Sequence, residues 1–356
     1  MNIVVTGGAG FIGSHLSEKL LSLGHRVIVI DNFHEFYPLG IKIRNILEST
    51  DNKELIKDFK EIEESSSKKI KKEEIIKALC DVTESRKYKL YYCDIRDKEN
   101  LDKIFSEEKP DVVINLAGLA GVRPSISEPI LYEDVNIKGY MNLLETCVNY
   151  NVNKFIQASS SSVYGNNKKV PFSENDIVDF PISPYAATKK SCEIIGHVYH
   201  SLYKIDMFQL RFFTVYGERQ RPDLAIHKFV KNICEEKTIS IYGDGNSMRD
   251  YTYIGDIVDG IIKSMEYLFK NKNIYEILNL GESHTISLKE MISVIENELN
   301  KKAKIKNFPF QQGDVEKTYA DISKGKRFIG YAPKIDFNEG IKRFIKWYRE
   351  QESFEK

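Results

Sequence analysis

Short runs rich in β-branched residues recur along the first two thirds of the chain, at Ile3–Thr6, Val27–Asp31, Leu90–Asp94, Val112–Ala117, Phe155–Ser159 and Met207–Phe212. Longer stretches of helical periodicity separate them. Apolar runs of this length alternating with helices predict strands buried on both faces, in a parallel sheet with helices above and below. The rhythm breaks between about residues 42 and 89, where Glu61–Ser67 and Lys68–Glu74 make the chain rich in lysine and glutamate. That composition predicts a solvated helical insertion, with a regulatory or partner surface as the alternative. Beyond Gly217 the pattern loosens around Arg221, Pro222, Gly243, Asp244, Gly245 and Arg249, and a smaller lobe is expected there. The first domain then covers residues 1–180, with segments 185–213 and 250–270 returning to it, and the second lobe covers 214–249 and 271–350.

Length agrees with this division, because 356 residues are too many for one average domain and suffice for two lobes with a cleft between them. Lys plus Arg and Asp plus Glu both total 52, so nothing draws the chain as a whole to nucleic acid or to an anionic membrane. Any anion must be met locally. The five cysteines, Cys80, Cys93, Cys147, Cys192 and Cys234, form no CxxC pair, which argues against a metal site and against a disulfide framework. No apolar run approaches the roughly 20 residues that span a bilayer, and no basic leader precedes the first strand, so a cytoplasmic protein with reduced thiols is expected.

The strand Ile3–Thr6 runs directly into Gly7, Gly8, Ala9, Gly10, Phe11, Ile12 and Gly13, and helical periodicity resumes at Ser14. Glycines between a strand and a helix let backbone amides approach a pyrophosphate at the positive helix N-terminus. The next strand ends in Asp31, placed to hold a ribose diol and to repel a ribose 2′-phosphate, so NAD is expected rather than NADP. This is the signature of a Rossmann-type doubly wound α/β sheet, here with a smaller C-terminal α/β substrate lobe. The other strand ends on the same edge bring Asn32, Asp94, Ile95, Leu116 and Ala117 to the cofactor. Asp94 suits the adenine and is also a candidate N-cap for the segment from Arg96.

Three pairs fit YxxxK: Tyr150 with Lys154, Tyr164 with Lys168, and Tyr185 with Lys189. The first straddles a helix end and a strand start, and the second crosses a turn at Gly165, Asn166 and Asn167. Only the third lies inside a helix, with Ser183 as N-cap and Pro184 as its first residue, so Tyr185 and Lys189 share one face. Tyr185 in the positive first turn is then a candidate general base for a substrate hydroxyl. The strand Phe155–Ser159 opens into Ser159, Ser160, Ser161 and Ser162 at the carboxyl edge of the sheet, where ligands bind in open α/β folds. One of these hydroxyls can share the proton with Tyr185, or the serines can merely cap the strand end.

These residues resemble the extended short-chain dehydrogenase/reductase family over nearly the whole chain apart from the insertion. The segments SSSSVYG (159–165), PISPYAATKK (181–190), RFFTVYG (211–217), RPD (221–223), RDYTYIGDIVDG (249–260) and GDVEKTYADISK (313–324) are similar to those of nucleotide-sugar 4-epimerases. With AGVRPS (120–125), they resemble UDP-glucuronate 4-epimerases most. The resemblance implies Tyr185 as the base, Lys189 orienting it and holding the nicotinamide ribose, and Ser160 supplying the hydroxyl. It places Asn136 and Phe212 at the cofactor cleft, Thr214 facing the sugar, Thr318 gating the sugar pocket and Arg249 on the diphosphate side. It also implies a homodimer joined through the helical segments Ile130–Tyr150 and Tyr185–Tyr203.

The departures narrow the reaction. Related dehydratases carry Asp and Glu immediately before VYG, and UDP-glucuronate decarboxylases carry Glu there, whereas this chain has Ser161 and Ser162. Elimination needs an acid and a base that hydroxyls do not easily replace. The serines with Thr214 suit a C6 carboxylate instead, and Arg221 could add charge there or bind the diphosphate. Gln311 stands where the family has a diphosphate-binding arginine, and Ala120 where glucose-type epimerases often have a lysine. The reaction expected is C4 epimerisation of a nucleotide sugar with NAD, most simply UDP-glucuronate to UDP-galacturonate. UDP-glucose or UDP-N-acetylglucosamine epimerisation, a dehydratase or decarboxylase, and a non-catalytic scaffold remain as alternatives.

Overall fold

The computed structural model of the chain describes residues 1–65, 72–309 and 317–355. Seven strands form one parallel sheet: β1 (Asn2–Thr6), β2 (Arg26–Asp31), β3 (Tyr88–Tyr92), β4 (Val112–Asn115), β5 (Lys154–Ser160) and β6 (Asp206–Phe212), with a seventh from further along the chain. Four short strands, β7 (Thr214–Tyr216), β8 (Thr238–Tyr242), β9 (Met248–Arg249) and β10 (Tyr251–Tyr253), come before that seventh strand, β11 (Tyr275–Leu280). The sheet order is β11-β6-β5-β4-β1-β2-β3. The chain therefore reverses direction across the sheet between β1 and β4, and the crevice at the carboxyl ends of these two strands is where ligands bind in such folds.

Alternation explains why the strands read as unbroken apolar runs. Ile3, Val5, Val27, Val29, Val112 and Ile114 enter one core, while Val4, Ile28, Ile30 and Val113 enter the other, so each strand buries both faces. The smaller lobe is built from two-stranded pairs: β8 with β13 (Lys304–Phe308), and β9 with β12 (Ile286–Ser287). β7 pairs with β10 beside β6 and carries the chain from the large sheet towards this lobe.

Several expectations change. β3 begins at Tyr88 rather than Leu90 and β4 ends at Asn115, so Asp94, Leu116 and Ala117 lie in loops just past the strand ends. β11 falls inside the segment expected in the smaller lobe, yet it completes the large sheet beside β6. The charged insertion is packed as well as solvated: its helices Leu39–Ser49, Ile56–Ser65 and Lys72–Thr83 bury Ile43, Ile46, Leu47, Ile56, Phe59, Ile75, Ile76 and Leu79 in the main core. Its polar residues hold it there too. Arg219 reaches Glu48 at 2.8 Å and Glu18 at 2.7 Å, joining the insertion to the first helix, and Gln351 of the last helix donates to Glu48 at 3.2 Å.

The expected helix 130–150 is segmented into Pro129–Glu133, a π-helical turn over Asp134–Lys138, and Gly139–Asn149. These segments and the helix Pro184–Tyr203, the pair expected to meet a second copy, leave Ile130, Met141, Ile194, Val198 and Leu202 exposed. Among the described residues, no helix is long and apolar enough to cross a membrane.

Candidate active site

The glycine loop is built as a phosphate cradle. Gly7 has φ +70°, and a Cβ there would come within 2.8 Å of the Ala117 amide nitrogen, so β1 and the loop after β4 touch backbone to backbone. A Cβ on Gly13 would lie 2.2 Å from the Gly7 carbonyl oxygen, which only hydrogen allows. The helix Phe11–Ser22 starts at Gly10 without a side-chain cap. Its first amides are therefore left for an outside acceptor. A close-approach loop, bare helix amides and a crevice at the sheet's reversal fit a dinucleotide pyrophosphate.

The cavity over this loop is lined by Gly7, Gly10, Phe11, Ile12 and Gly13, by Asp31, Asn32, Asp94 and Ile95, and by Leu116, Ala117 and Ala120. Ser160, Tyr185, Lys189, Phe212, Thr214 and Arg221 complete it on the side of β5 and the helix Pro184–Tyr203. Asp31 accepts the amides of Ala9 at 3.0 Å and Phe33 at 2.7 Å, so its carboxylate is fixed by both the glycine loop and the loop after β2. Burial would push the Asp94 carboxyl up. Hydrogen bonds from Arg96 and from Asn32 outweigh it and hold the group down to about 2. The helix N-cap proposed for Asp94 belongs to Asp97, which accepts from Asn100 at 3.1 Å.

Asn136 is not in the cavity wall. The π-helical turn aims its side chain at the Leu119 backbone, accepting the amide at 2.8 Å and donating to the carbonyl at 3.0 Å, so it fixes the loop that follows β4. Periodicity gave no sign of four other lining residues. His34, Phe36 and Tyr37 arrive from the loop after β2, and Lys42 from the first helix of the insertion. Lys42 is buried, with its ammonium 4.9 Å from the centre of the Tyr37 ring. At Lys42 composition pointed only to a solvated surface, and the packing of the insertion's first helix brings it to this cavity.

The catalytic helix starts as expected. Ser183 Oγ accepts the Ala186 amide at 3.2 Å, Pro184 opens the first turn, and Tyr185 and Lys189 face the cavity. Lys189 Nζ donates to the Ala158 carbonyl at 2.8 Å and lies 5.9 Å from the Tyr185 ring centre. Ser160 Oγ accepts the Ser162 amide at 3.2 Å and donates to Ser162 Oγ at 3.1 Å, closing the turn Ser161–Tyr164 after β5. The rival tyrosines lie elsewhere. Tyr150 packs near Phe105 outside the cavity, and Tyr164 is buried with its hydroxyl between Arg211 and Asn279, where burial pushes its pKa well up.

Of the residues expected to meet the sugar, Thr214 and Arg221 line the cavity. Ser161 and Ser162 form the adjoining turn, behind the wall that Ser160 provides. Arg221 is engaged by Asp223 through two bonds of 2.9 and 2.7 Å and lies 4.9 Å over the Phe36 ring, so its charge is already partly offset. Thr318 and Arg249 lie outside this cavity, side by side in the smaller lobe. Thr318 Oγ1 accepts the Asp250 amide at 3.2 Å, and Arg249 Nη1 donates to the Met248 carbonyl at 2.9 Å. Gln311 lies outside the described residues.

Known proteins are similar to this chain in sequence and fold. The family model described as GDP-mannose 4,6 dehydratase matches residues 56–344. The chain is 40% identical to a UDP-glucuronate 4-epimerase of Thermodesulfobacterium geofontis, over 98% of this chain and 96% of that one. Its structure is similar to that of a Bacillus cereus UDP-glucuronic acid 4-epimerase in complex with UDP-glucuronic acid and NAD, with a TM-score of 0.83, 33% identity, and 99% and 100% of the two chains covered. It is also similar to a Thermotoga maritima UDP-glucose 4-epimerase with UDP-glucose, with a TM-score of 0.80, 31% identity and 99% of each chain covered. The glycine cradle, the serine turn and the Tyr185–Lys189 face thus belong to a member of the extended short-chain dehydrogenase/reductase family, an NAD-dependent nucleotide-sugar 4-epimerase.

Proposed function

We propose that the chain interconverts UDP-glucuronate and UDP-galacturonate by inverting C4. One observation carries the choice of sugar: the turn after β5 carries hydroxyls at Ser161 and Ser162, where the resemblance places acids in relatives that eliminate or decarboxylate, and the neighbouring Ser160, bonded to Ser162, lines the cavity. Thr214 adds a hydroxyl from the facing wall. Hydroxyl donors suit a carboxylate, because hydrogen bonds to a charged acceptor are the stronger kind. The names of two relatives, UDP-glucuronate 4-epimerases, support the same sugar.

In this reading NAD, held by the glycine loop, Asp31 and Asp94, supplies the two-electron acceptor and donor for C4. Tyr185 takes the C4 hydroxyl proton, and Ser160 beside it hydrogen-bonds the same oxygen. The Lys189 ammonium, fixed on the Ala158 carbonyl, offsets the negative charge that the Tyr185 oxygen carries before it accepts this proton. While C4 is a ketone its oxygen only accepts, so Tyr185, now holding the proton, stays bonded to it and returns the proton after the sugar has turned. Holding the reacting groups in place supplies much of the rate, and few titrating residues are needed.

Competition between sugars tests the proposal. UDP-glucuronate should exceed UDP-glucose in kcat/KM by about tenfold or more, since a hydrogen bond to a charged group contributes roughly 1.5–3 kcal/mol. Ser162→Ala and Thr214→Ala should narrow the gap. Arg221→Ala should lower both substrates alike, because Asp223 already pairs with that guanidinium. Faster turnover of UDP-glucose or UDP-N-acetylglucosamine by the wild type would refute the carboxylate site and leave the C4 chemistry standing.

A further inference from the structure

Behind the catalytic wall lies a chain of buried polar side chains that takes no direct part in the reaction. Glu193 sits one turn beyond Lys189 on the catalytic helix and is 1% exposed. Its Oε1 accepts Ser159 Oγ at 2.7 Å, on the residue that precedes Ser160. Arg211, also 1% exposed, grips both oxygens of Glu193 from β6, with Nε and Nη2 each at 2.8 Å. Its remaining nitrogen, Nη1, donates to Tyr164 Oη at 3.0 Å, and Tyr164 donates in turn to Asn279 Oδ1 of β11 at 2.7 Å. The Asn279 amide group donates to the carbonyls of Phe172 and Asp321 at 2.9 and 3.1 Å. Phe172 is clasped by the segment around Ala320, donating to Tyr319 at 2.7 Å and accepting from Asp321 at 2.9 Å. That segment carries Thr318.

We propose that Glu193, Arg211, Tyr164 and Asn279 form a positioning relay, which fixes Ser160 and the Tyr185–Lys189 helix against the segment 317–321 of the smaller lobe. None of the four needs to touch substrate. A salt bridge buried this deeply is weak evidence for stability as such, because desolvating both charges cancels much of their attraction. What it does supply is direction. The two-pronged contact locks the helix azimuth to β6, and the bond to Ser159 locks the strand end to the helix. Each member has its hydrogen-bond partners, so the network has one arrangement rather than several. Through Asn279, a shift of the sugar-lobe segment is felt at the serine turn, and reaction geometry tolerates little displacement.

The inference rests on the roles proposed for Ser160, Tyr185 and Lys189, and the test separates the two. Three variants are compared on the NAD-loaded enzyme: Tyr164→Phe, Glu193→Gln and, as the reference for the site itself, Tyr185→Phe. Tyr164→Phe keeps the ring stacked on Phe172, 4.7 Å between centres, and loses only the hydroxyl. The relay predicts that Tyr164→Phe stays folded, keeps its NAD and its KM, and loses kcat by roughly ten- to a hundredfold. Glu193→Gln should lose more than Tyr164→Phe, because it weakens the grip on Arg211 itself. A kcat for Tyr164→Phe within twofold of wild type would overturn the relay. So would a loss of folding or of NAD parallel to the loss of activity, because the group would then be only structural. Near-normal activity of Tyr185→Phe would overturn the site assignment instead, whatever the relay variants do.

Discussion

Tyr185→Phe will lower kcat by about a hundredfold to ten-thousandfold, the usual contribution of a positioned acid or base, and leave KM within a few-fold. The variant removes one oxygen from a ring whose centre lies 6.3 Å from that of Tyr132 in an edge-to-face pair, so the cavity wall keeps its shape. Lys189 keeps its own anchor on Ala158 and does not depend on the tyrosine hydroxyl. A loss in kcat with KM retained marks an interaction made during the chemical step. Steady-state assays on the folded variant check this. Activity within tenfold of wild type would remove Tyr185 from the proton-transfer role, and Tyr164 could not inherit it, being buried and bonded on both sides.

A single methyl group in the glycine loop should have an effect of similar size by another route. In Gly13→Ala the new carbon would lie 2.2 Å from the Gly7 carbonyl and 2.7 Å from Gly8 Cα, both backbone atoms that cannot rotate away. The loop or the first helical turn must move, and either movement misdirects the amides that meet the pyrophosphate. The variant is expected to purify without NAD and to lose at least about a hundredfold in kcat at limiting cofactor, as expected for displaced reacting groups. Extraction of bound nucleotide and its chromatographic measurement check this. Stoichiometric NAD in the purified variant would contradict the cradle.

The parts of this molecule that were legible in the sequence are those set by local pattern. The strand cores alternate between two faces, and apolar runs at Val27–Asp31 or Met207–Phe212 can hardly do anything else. The glycine loop and the Ser183–Pro184 helix start are also written locally, in residues chosen for special backbone geometry. What escaped depends on distant parts meeting. β11 reads as one more strand of the smaller lobe until β6 is found to need a neighbour. Lys42 looks like a surface residue until Ile43, Ile46 and Leu47 of the same helix enter the core and Lys42 is buried with them. Asn136 was expected at the cleft itself, but a π-helical turn, which has no plain sequence mark, directs it to the backbone behind. The sugar-facing set was the least legible, because Thr318 and Arg249 lie outside the cavity that Thr214 and Ser160 line, although Asp250 bonds both Thr214 and Thr318 through its backbone.

The central claim is that C4 is oxidised and reduced within one catalytic cycle, so the hydrogen on C4 leaves and returns without exchanging with water. UDP-glucuronate carrying deuterium at C4 tests this most directly. The account predicts UDP-galacturonate with deuterium retained at C4 and no net accumulation of NADH. Label lost to water, NADH formed in step with product, or release of carbon dioxide would contradict it.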